Sequence, residues 1–309
     1  MKIGKIAATF LTFLLLISAL IAGCGMQPPM FGGFGEGFRQ GGEVTQNNSQ
    51  PQVPQQEATK NLVKYDGGYF SVMLPDGWMI QTMGEYTTFG FRAWDPQNPD
   101  YEIFCYGNLS PLLKSHDAKI SWADYVYQNG YPNALLFADA PVINVYDAGS
   151  VFYEFYGLDA LAEKYVPEFS IPMLQNFTII KTMPIQTPYA SICTDEALVF
   201  ASVQAQSGTA CYGKFTASIW STQSYIVGNV DMAPTAALNV TGVIAPQTDF
   251  TAIEGVLTQA VFSLTFTEEY IQKAIEHIQQ TGEAALADNA ARQAIYDAAN
   301  AAWNAYIRG

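Results

Sequence analysis

The chain has 309 residues, of which 49% are hydrophobic and 14% are charged. Acidic residues outnumber basic ones by 28 to 14, which gives a formal net charge of −14. We therefore expect no nucleic-acid partner, because such a surface repels phosphates. The hydrophobic content is sufficient for a sizeable buried core.

The first 24 residues carry the most specific signal in the chain. Lys2 and Lys5 form a positive start, residues 6–20 are apolar and uncharged, and Gly23 is a small residue directly before Cys24. The apolar run is short for a membrane span, which needs about 20 residues. The alternatives are an ordinary secretory signal with a chance cysteine and an uncleaved membrane helix.

This pattern resembles the lipobox of bacterial lipoproteins. The resemblance implies a signal peptide over 1–23, cleavage between Gly23 and Cys24, and a diacylglycerol on the Cys24 thiol, with further acylation (palmitate) of the new amino group. Each buried CH₂ of such an anchor contributes roughly 0.8 kcal/mol to membrane binding. We therefore expect a bacterial protein that is lipid-anchored at the extracytoplasmic face of the cell membrane.

Residues 24–61 are rich in Gly, Gln, Pro and Asn and show no hydrophobic periodicity. This composition predicts a disordered linker. A flexible chain of that length has an r.m.s. reach of ~35 Å.

Ordered elements are predicted from residue 62 onward. Alternating and β-rich segments followed by turn residues indicate strands. Ser121 with Asp124 resembles a capping box that begins a short helix through Tyr127. In the first half of the domain, the predicted strands are 69–74, 86–95 and 101–109, and a β-branched, aromatic run follows at 151–156.

The second half of the domain contains a predicted hairpin around Ser207-Gly208 and an amphipathic helix over 252–263. Residues 268–309 are expected to be helical, with a break or bend at Gly282. We expect this C-terminal segment to dock on its own domain, and a partner-facing arm is the alternative. The other elements predicted here are a helix at 159–166, strands at 176–183 and 239–245, and an extended segment at 262–266.

Two segments resemble the PsbP/Mog1-like fold. Residues 68–78 look like its opening strand, proline turn and tryptophan, and residues 239–250 with 262–266 look like its closing strand and helix. The resemblance implies an α+β domain over 62–267, an antiparallel sheet flanked by helices as an α/β/α sandwich, followed by the long C-terminal helix. Members of the family are largely binding or assembly factors, and no catalytic residues exist to carry over.

Catalytic motifs are absent from the sequence, and no cofactor is expected. The chain has two histidines, His116 and His277, and we expect His277 to face solvent. A Cys–His nucleophile that uses Cys105 or Cys211 remains an alternative. Cys193 is the remaining one of the three cysteines after Cys24; one disulfide among the three and three free thiols are equally compatible with the spacing.

Asp95, Asp100 and Glu102 cluster around a predicted hairpin tip, where hard oxygen ligands suit Ca²⁺. A solvated turn explains them as well, and we expect no metal. Glu154 lies among aromatic residues and is expected to point outward. Four tryptophans are candidates for a sugar or peptide cleft, although core packing is the preferred explanation; they are Trp78, Trp94, Trp122 and Trp220.

The sequence thus predicts a membrane-anchored lipoprotein of non-enzymatic binding or assembly type, with a protein partner conceivable through the C-terminal helix. A cell-envelope hydrolase is the first alternative, and it requires His116, a cysteine and a carboxylate to converge. A solute-binding receptor is the second, and it requires two lobes around a cleft.

Overall fold

The computed structural model describes residues 61–130, 134–222, 224–281 and 289–308. Gly23, Cys24 and nearly all of the predicted linker lie outside the described residues. Among the helices that are described, none is long and apolar enough to cross a membrane.

Seven of the twelve described strands form one antiparallel sheet, and the other five form two small accessory sheets. In chain order the strands are β1 Leu62–Asp66, β2 Phe70–Pro75, β3 Met79–Met83, β4 Gly90–Trp94, β5 Glu102–Leu112, β6 Gln175–Pro184, β7 Cys193–Gln204, β8 Ala210–Ser221, β9 Ile226–Val227, β10 Val230–Asp231, β11 Thr235–Pro246 and β12 Thr265–Phe266. The main sheet has the order β3-β4-β5-β11-β8-β7-β6, and β1-β2-β12 and β9-β10 are the small sheets.

The helices cover both faces of the main sheet. They are α1 His116–Asn129, α2 Leu135–Asp139, α3 Ser150–Tyr153, α4 Phe155–Tyr165, α5 Phe250–Phe262, α6 Glu268–Thr281 and α7 Asn289–Arg308. Helices α3 and α4 pack on one face, whereas α5, α7 and strand β2 pack on the other. The predicted α+β class, an antiparallel sheet flanked by helices with a helical C-terminus, is therefore confirmed.

Strand β11 forms the centre of the sheet, paired with β5 on one side and β8 on the other. All twelve of its residues are buried. The strand is covered on both faces, and the buried apolar residues 236–238 extend it beyond the predicted 239–245.

The strand-like run at 151–156 is helical instead, which corrects the prediction. Val151, Phe152, Phe155 and Leu158 recur at helical spacing and are all buried against the sheet. Tertiary burial of this stripe overrides the β propensity of its residues. The short helix predicted from Ser121 also begins earlier, because the Ser115 hydroxyl accepts a hydrogen bond from the Ala118 amide and caps α1.

The C-terminal segment packs on its own domain. Helix α6 spans Glu268–Thr281, and α7 buries Ala299 and Trp303. Gly282, where a break or bend was predicted, lies outside the described residues. The Trp303 ring lies 5.1 Å from the Phe200 ring. The expectation that His277 faces solvent is wrong, because its ring stacks on the Tyr86 ring, with the two ring centroids 5.1 Å apart.

Candidate functional site

The candidate site is the β9–β10 hairpin, which leaves the end of the main sheet. Ser221 at the end of β8 pairs with Thr235 at the start of β11, so the chain between them forms a separate excursion. Its tight turn is built on Gly228, whose φ of +63° is a conformation that favours glycine. The chain therefore reverses direction over the two residues between β9 and β10, as is typical of a compact β-hairpin.

The base of this hairpin is organised by one carboxylate, that of Asp231. It accepts hydrogen bonds from Lys114 Nζ at 2.9 Å, Ser224 Oγ at 2.9 Å and the amides of Tyr225 at 2.9 Å and Ala233 at 3.1 Å. Desolvation by itself would raise the pKa of Asp231, but these hydrogen bonds lower it to about 2. The ionised carboxylate thus holds both sides of the hairpin base together.

Helix α1 and Lys114, two residues before it, brace the hairpin from the side. Lys114 Nζ also donates to the carbonyl of Thr222 at 3.2 Å, and Trp122 Nε1 donates to the carbonyl of Met232 at 3.0 Å. The buried Trp122 ring is itself fixed by stacking on Phe137, with centroids 4.6 Å apart. The hairpin base is therefore held against the domain by the Lys114–Asp231 ion pair and by the hydrogen bond from the Trp122 indole.

The first strand of the hairpin, together with the residue before it, presents three consecutive apolar side chains to solvent, although the amide of Tyr225 belongs to the fixed base. Tyr225, Ile226 and Val227, which we call the apolar tip, are 55%, 59% and 47% exposed. Clustered exposed hydrophobic residues on a rigid support are typical of interaction sites. Ile120 and Tyr127, seven residues apart on α1, are exposed as well.

Helix α1 and the segment before it carry exposed carboxylates and lysines with internal partners. Asp117 and Asp124 on α1 are exposed. The nearby cations are engaged, since Lys114 binds Asp231 and Lys119 Nζ donates to the carbonyls of Asp139 and Ala140.

The nucleophile proposed for a hydrolase is not assembled. His116 opens α1 just beyond Leu112, whereas seven strand steps, about 23 Å, separate Leu112 from Cys105. Cys211 pairs with Pro246 at the far end of the sheet. Neither cysteine is brought to His116.

The three carboxylates considered for a metal are used in other ways. Glu102 is paired with Arg92, Asp100 accepts a hydrogen bond from Ser207 Oγ at 2.7 Å, and Asp95 accepts one from the amide of Gln97 at 2.9 Å. No group of three His, Cys, Asp or Glu side chains suited to a metal ion occurs within the described ranges.

The tryptophan candidates do not line a common cleft. Trp122 supports the hairpin, Trp94 lies under the guanidinium of Arg92 at 5.4 Å, and Trp78 and Trp220 pack against two different core clusters. Glu154 is half-buried at the junction of α3 and α4.

The β9–β10 hairpin was not predicted from the sequence. The available signal is residues 225–230, Tyr-Ile-Val-Gly-Asn-Val, in which apolar residues flank a Gly-Asn turn. The sequence does not reveal that these apolar residues stay exposed, because the same pattern equally describes a buried hairpin.

Comparison with known proteins gives structural likenesses of low similarity. No family model matches the chain, and no curated protein matches it. The chain is similar to the solution structure of a cyanobacterial PsbP (CyanoP) from Synechocystis sp. PCC 6803, with 7% identity and a TM-score of 0.28 over 70% of this chain and 98% of that one. It is also similar to a crystal structure from Bacteroides thetaiotaomicron, with 11% identity and a TM-score of 0.22 over 67% of this chain and about half (48%) of that one. Both TM-scores are below 0.5, so the fold assignment rests on the strand order and the helical layers described above.

Proposed function

We propose that this chain is a bacterial lipoprotein, anchored through Cys24 at the extracytoplasmic face of the membrane, that acts by binding rather than by catalysis. The observation that carries the proposal is the braced hairpin, in which an apolar tip is exposed on a base fixed by Asp231, Lys114 and Trp122. A site that is rigid before it binds loses little conformational entropy on binding.

Two further observations support binding over hydrolysis or solute capture. His116 is not brought to Cys105 or Cys211, and the described residues build one main sheet rather than two lobes around a cleft. The resemblance of residues 68–78 to the PsbP/Mog1-like opening strand agrees with a binding or assembly role.

The anchor is tested by labelling bacteria that express the full chain with radioactive palmitate. We expect label in the wild-type protein and none in Cys24→Ala, and the mature wild-type mass should begin at Cys24 with acyl chains attached. An unlabelled wild-type protein, or one that retains residues 1–23, would refute the anchored location.

The binding role is tested by cross-linking intact cells with formaldehyde. Ile226→Asp places a charge on the apolar tip, whereas Ile180→Asp changes a residue of β6 that is 46% exposed. We expect a discrete cross-linked complex in the wild type and in Ile180→Asp, and at least a tenfold loss in Ile226→Asp. Equal amounts in all three proteins would remove the hairpin from the binding function.

A further inference from the structure

We infer that the open edge of strand β6 is an interface between two copies of this chain, in which the two β6 strands pair antiparallel and join the main sheets. Within the described residues, β6 pairs with β7 on one side and with no strand on the other. This surface is separate from the β9–β10 hairpin, so the inference goes beyond the proposed function and does not rest on it.

The first argument is the direction of the backbone groups of β6. Its pairing with β7 is continuous from Lys181 to Pro184. The amide of the next residue, Ile185, donates to the carbonyl of Glu196 at 3.2 Å. Because residues that bond across an antiparallel ladder alternate with residues that do not, the backbone groups of Thr182 and Pro184 point away from β7. Pro184 has no amide hydrogen, and an outward position in an edge strand tolerates that loss.

The second argument is that this edge is complementary to itself. Thr182 presents both its N–H and its C=O, so a two-fold axis at this residue lets each amide donate to the carbonyl of the other copy. The same register places Lys181 opposite Met183 of the other copy, and the two lysines are not directly opposed. It also places Ile180, which is 46% exposed, beside the exposed Pro184 of the other copy. The pairing therefore satisfies backbone groups and covers apolar surface together.

The third argument is charge. The chain carries a net charge of −14, which opposes association of two copies. Residues 169–194, which include all of β6, contain no acidic residue and one basic residue, Lys181. Beside this edge Tyr153, which is 53% exposed, packs on Phe177 of β6 with ring centroids 5.1 Å apart. An edge without carboxylates that is bordered by an exposed tyrosine has the composition of a protein interface.

The opposite edge of the main sheet explains why the assembly closes as a dimer. Strand β3 has five residues, and the exposed carboxylates of Asp76 and Glu85 flank it. A second pairing through β3 would bring like charges together, whereas pairing through β6 uses the same surface on both copies. The result is two seven-stranded sheets joined into one by a two-fold axis.

The test uses the full chain purified from membranes in mild detergent, with its mass measured by light scattering at micromolar concentration. We expect a dimer in the wild type. Thr182→Pro removes the outward N–H without touching the pairing with β7, and Ile180→Asp places a carboxylate at the interface; each should weaken dimerisation at least tenfold. Ile226→Asp, on the hairpin, should dimerise like the wild type, and circular dichroism checks that all variants are folded.

A cross-link in a protein with an intact edge provides the second measurement. Thr182→Cys places two thiols beside the two-fold axis, where the Cα atoms of paired residues lie about 5.5 Å apart, within reach of a disulfide. Thr82 is an exposed threonine of β3, and Thr82→Cys is the matched control. Oxidation of isolated membranes with copper phenanthroline should yield at least tenfold more cross-linked dimer for Thr182→Cys.

Four outcomes would overturn the inference. They are a monomeric wild type, a dimer that Thr182→Pro and Ile180→Asp leave unchanged, equal cross-linking at positions 182 and 82, and a Thr182→Cys adduct to a different protein in place of the dimer. Each of them is compatible with palmitate on Cys24 and a formaldehyde complex lost in Ile226→Asp. Failure of the inference is therefore distinguishable from failure of the proposed function.

Discussion

The indole Nε1 of Trp303 donates a hydrogen bond to Glu254 Oε1 over 2.9 Å, and this contact joins the last helix of the chain to α5. The other carboxylate oxygen of Glu254 accepts from Lys214 Nζ, which also lies 5.2 Å from the centroid of the Trp303 ring. Desolvation lowers the pKa of Lys214, and Glu254 opposes that shift. Lys214 of β8, Glu254 of α5 and Trp303 of α7 thus form one polar cluster among aromatic rings.

Truncation of Trp303 should release α7 from the sheet. Trp303→Ala removes a buried ring that contacts Phe200, and we expect a loss of about 3–5 kcal/mol in the free energy of unfolding. Trp303→Phe keeps most of the packing but not the donor to Glu254, and should cost about 1 kcal/mol. Urea unfolding measures both losses, and limited proteolysis should show cleavage near α7 first in Trp303→Ala.

Trp220→Phe is the matched control for these variants, since Trp220 packs against a different cluster near Ala236. It should leave the proteolysis pattern of α7 unchanged. Equal protease resistance of Trp303→Ala and the wild type would contradict the role of this contact in holding α7.

The hairpin base should lose stability in acid. The pKa of Asp231 is about 2 in the folded protein, below the ordinary aspartate value near 3.9. Its stabilising contribution is therefore complete above about pH 4 and declines as the pH falls towards 2. Asp231→Asn should cost about 1–3 kcal/mol at pH 7. Thermal unfolding of the two proteins between pH 7 and pH 2 should show this difference shrinking below pH 4; a constant difference would argue against the assigned carboxylate.

The contribution of the Arg92–Glu102 ion pair to the stability of the fold should depend on both side chains. Arg92 Nη2 lies 3.2 Å from Glu102 Oε2, and Nη1 donates to Ser170 Oγ at 3.1 Å. Glu102→Gln leaves Arg92 without its counter-charge and should destabilise by about 2–3 kcal/mol, less than a fully buried pair, because the Arg92 side chain is 24% exposed. The double variant Arg92→Met with Glu102→Leu should be closer to the wild type in urea unfolding. Addition of Ca²⁺ should not move the melting temperature of the wild type.

The thiols of the described domain should react slowly while the protein is folded. Cys193 and Cys211 carry free thiols, and Cys105 is buried. Burial, with a smaller contribution from Glu196, raises the pKa of Cys193 to about 12. Burial raises the pKa of Cys211 to about 11, with Asp100 adding to the shift.

At pH 8 only roughly one in a thousand Cys211 thiols, and fewer of Cys193, would be the reactive thiolate. Iodoacetamide should therefore modify both at least a hundredfold more slowly than in guanidinium, as followed by peptide mass spectrometry. Glutathione in the same buffer controls for the reagent. Fast modification of the folded chain would contradict the burial of these thiols.

Local sequence patterns were sufficient to predict an element where that element buries one side only or is joined to its neighbour by characteristic turn residues. The stripe of 252–263 gives α5, and the turn near Ser207-Gly208 gives the β7–β8 hairpin. The same logic failed at residues 151–156, because aromatic and β-branched residues suit either a strand or a buried helix. The surface against which residues 151–156 pack decides between strand and helix, and that surface is formed by residues distant in sequence.

The sequence by itself determined the acidity of the chain and most of the elements of its described part, because these depend on neighbouring residues. Only the tertiary structure decided which apolar residues remain exposed and what supports them. Asp231 and Lys114 are 117 residues apart in sequence, and their contact exists only because β5 and β11 pair. A binding surface built from such contacts cannot be read along the chain.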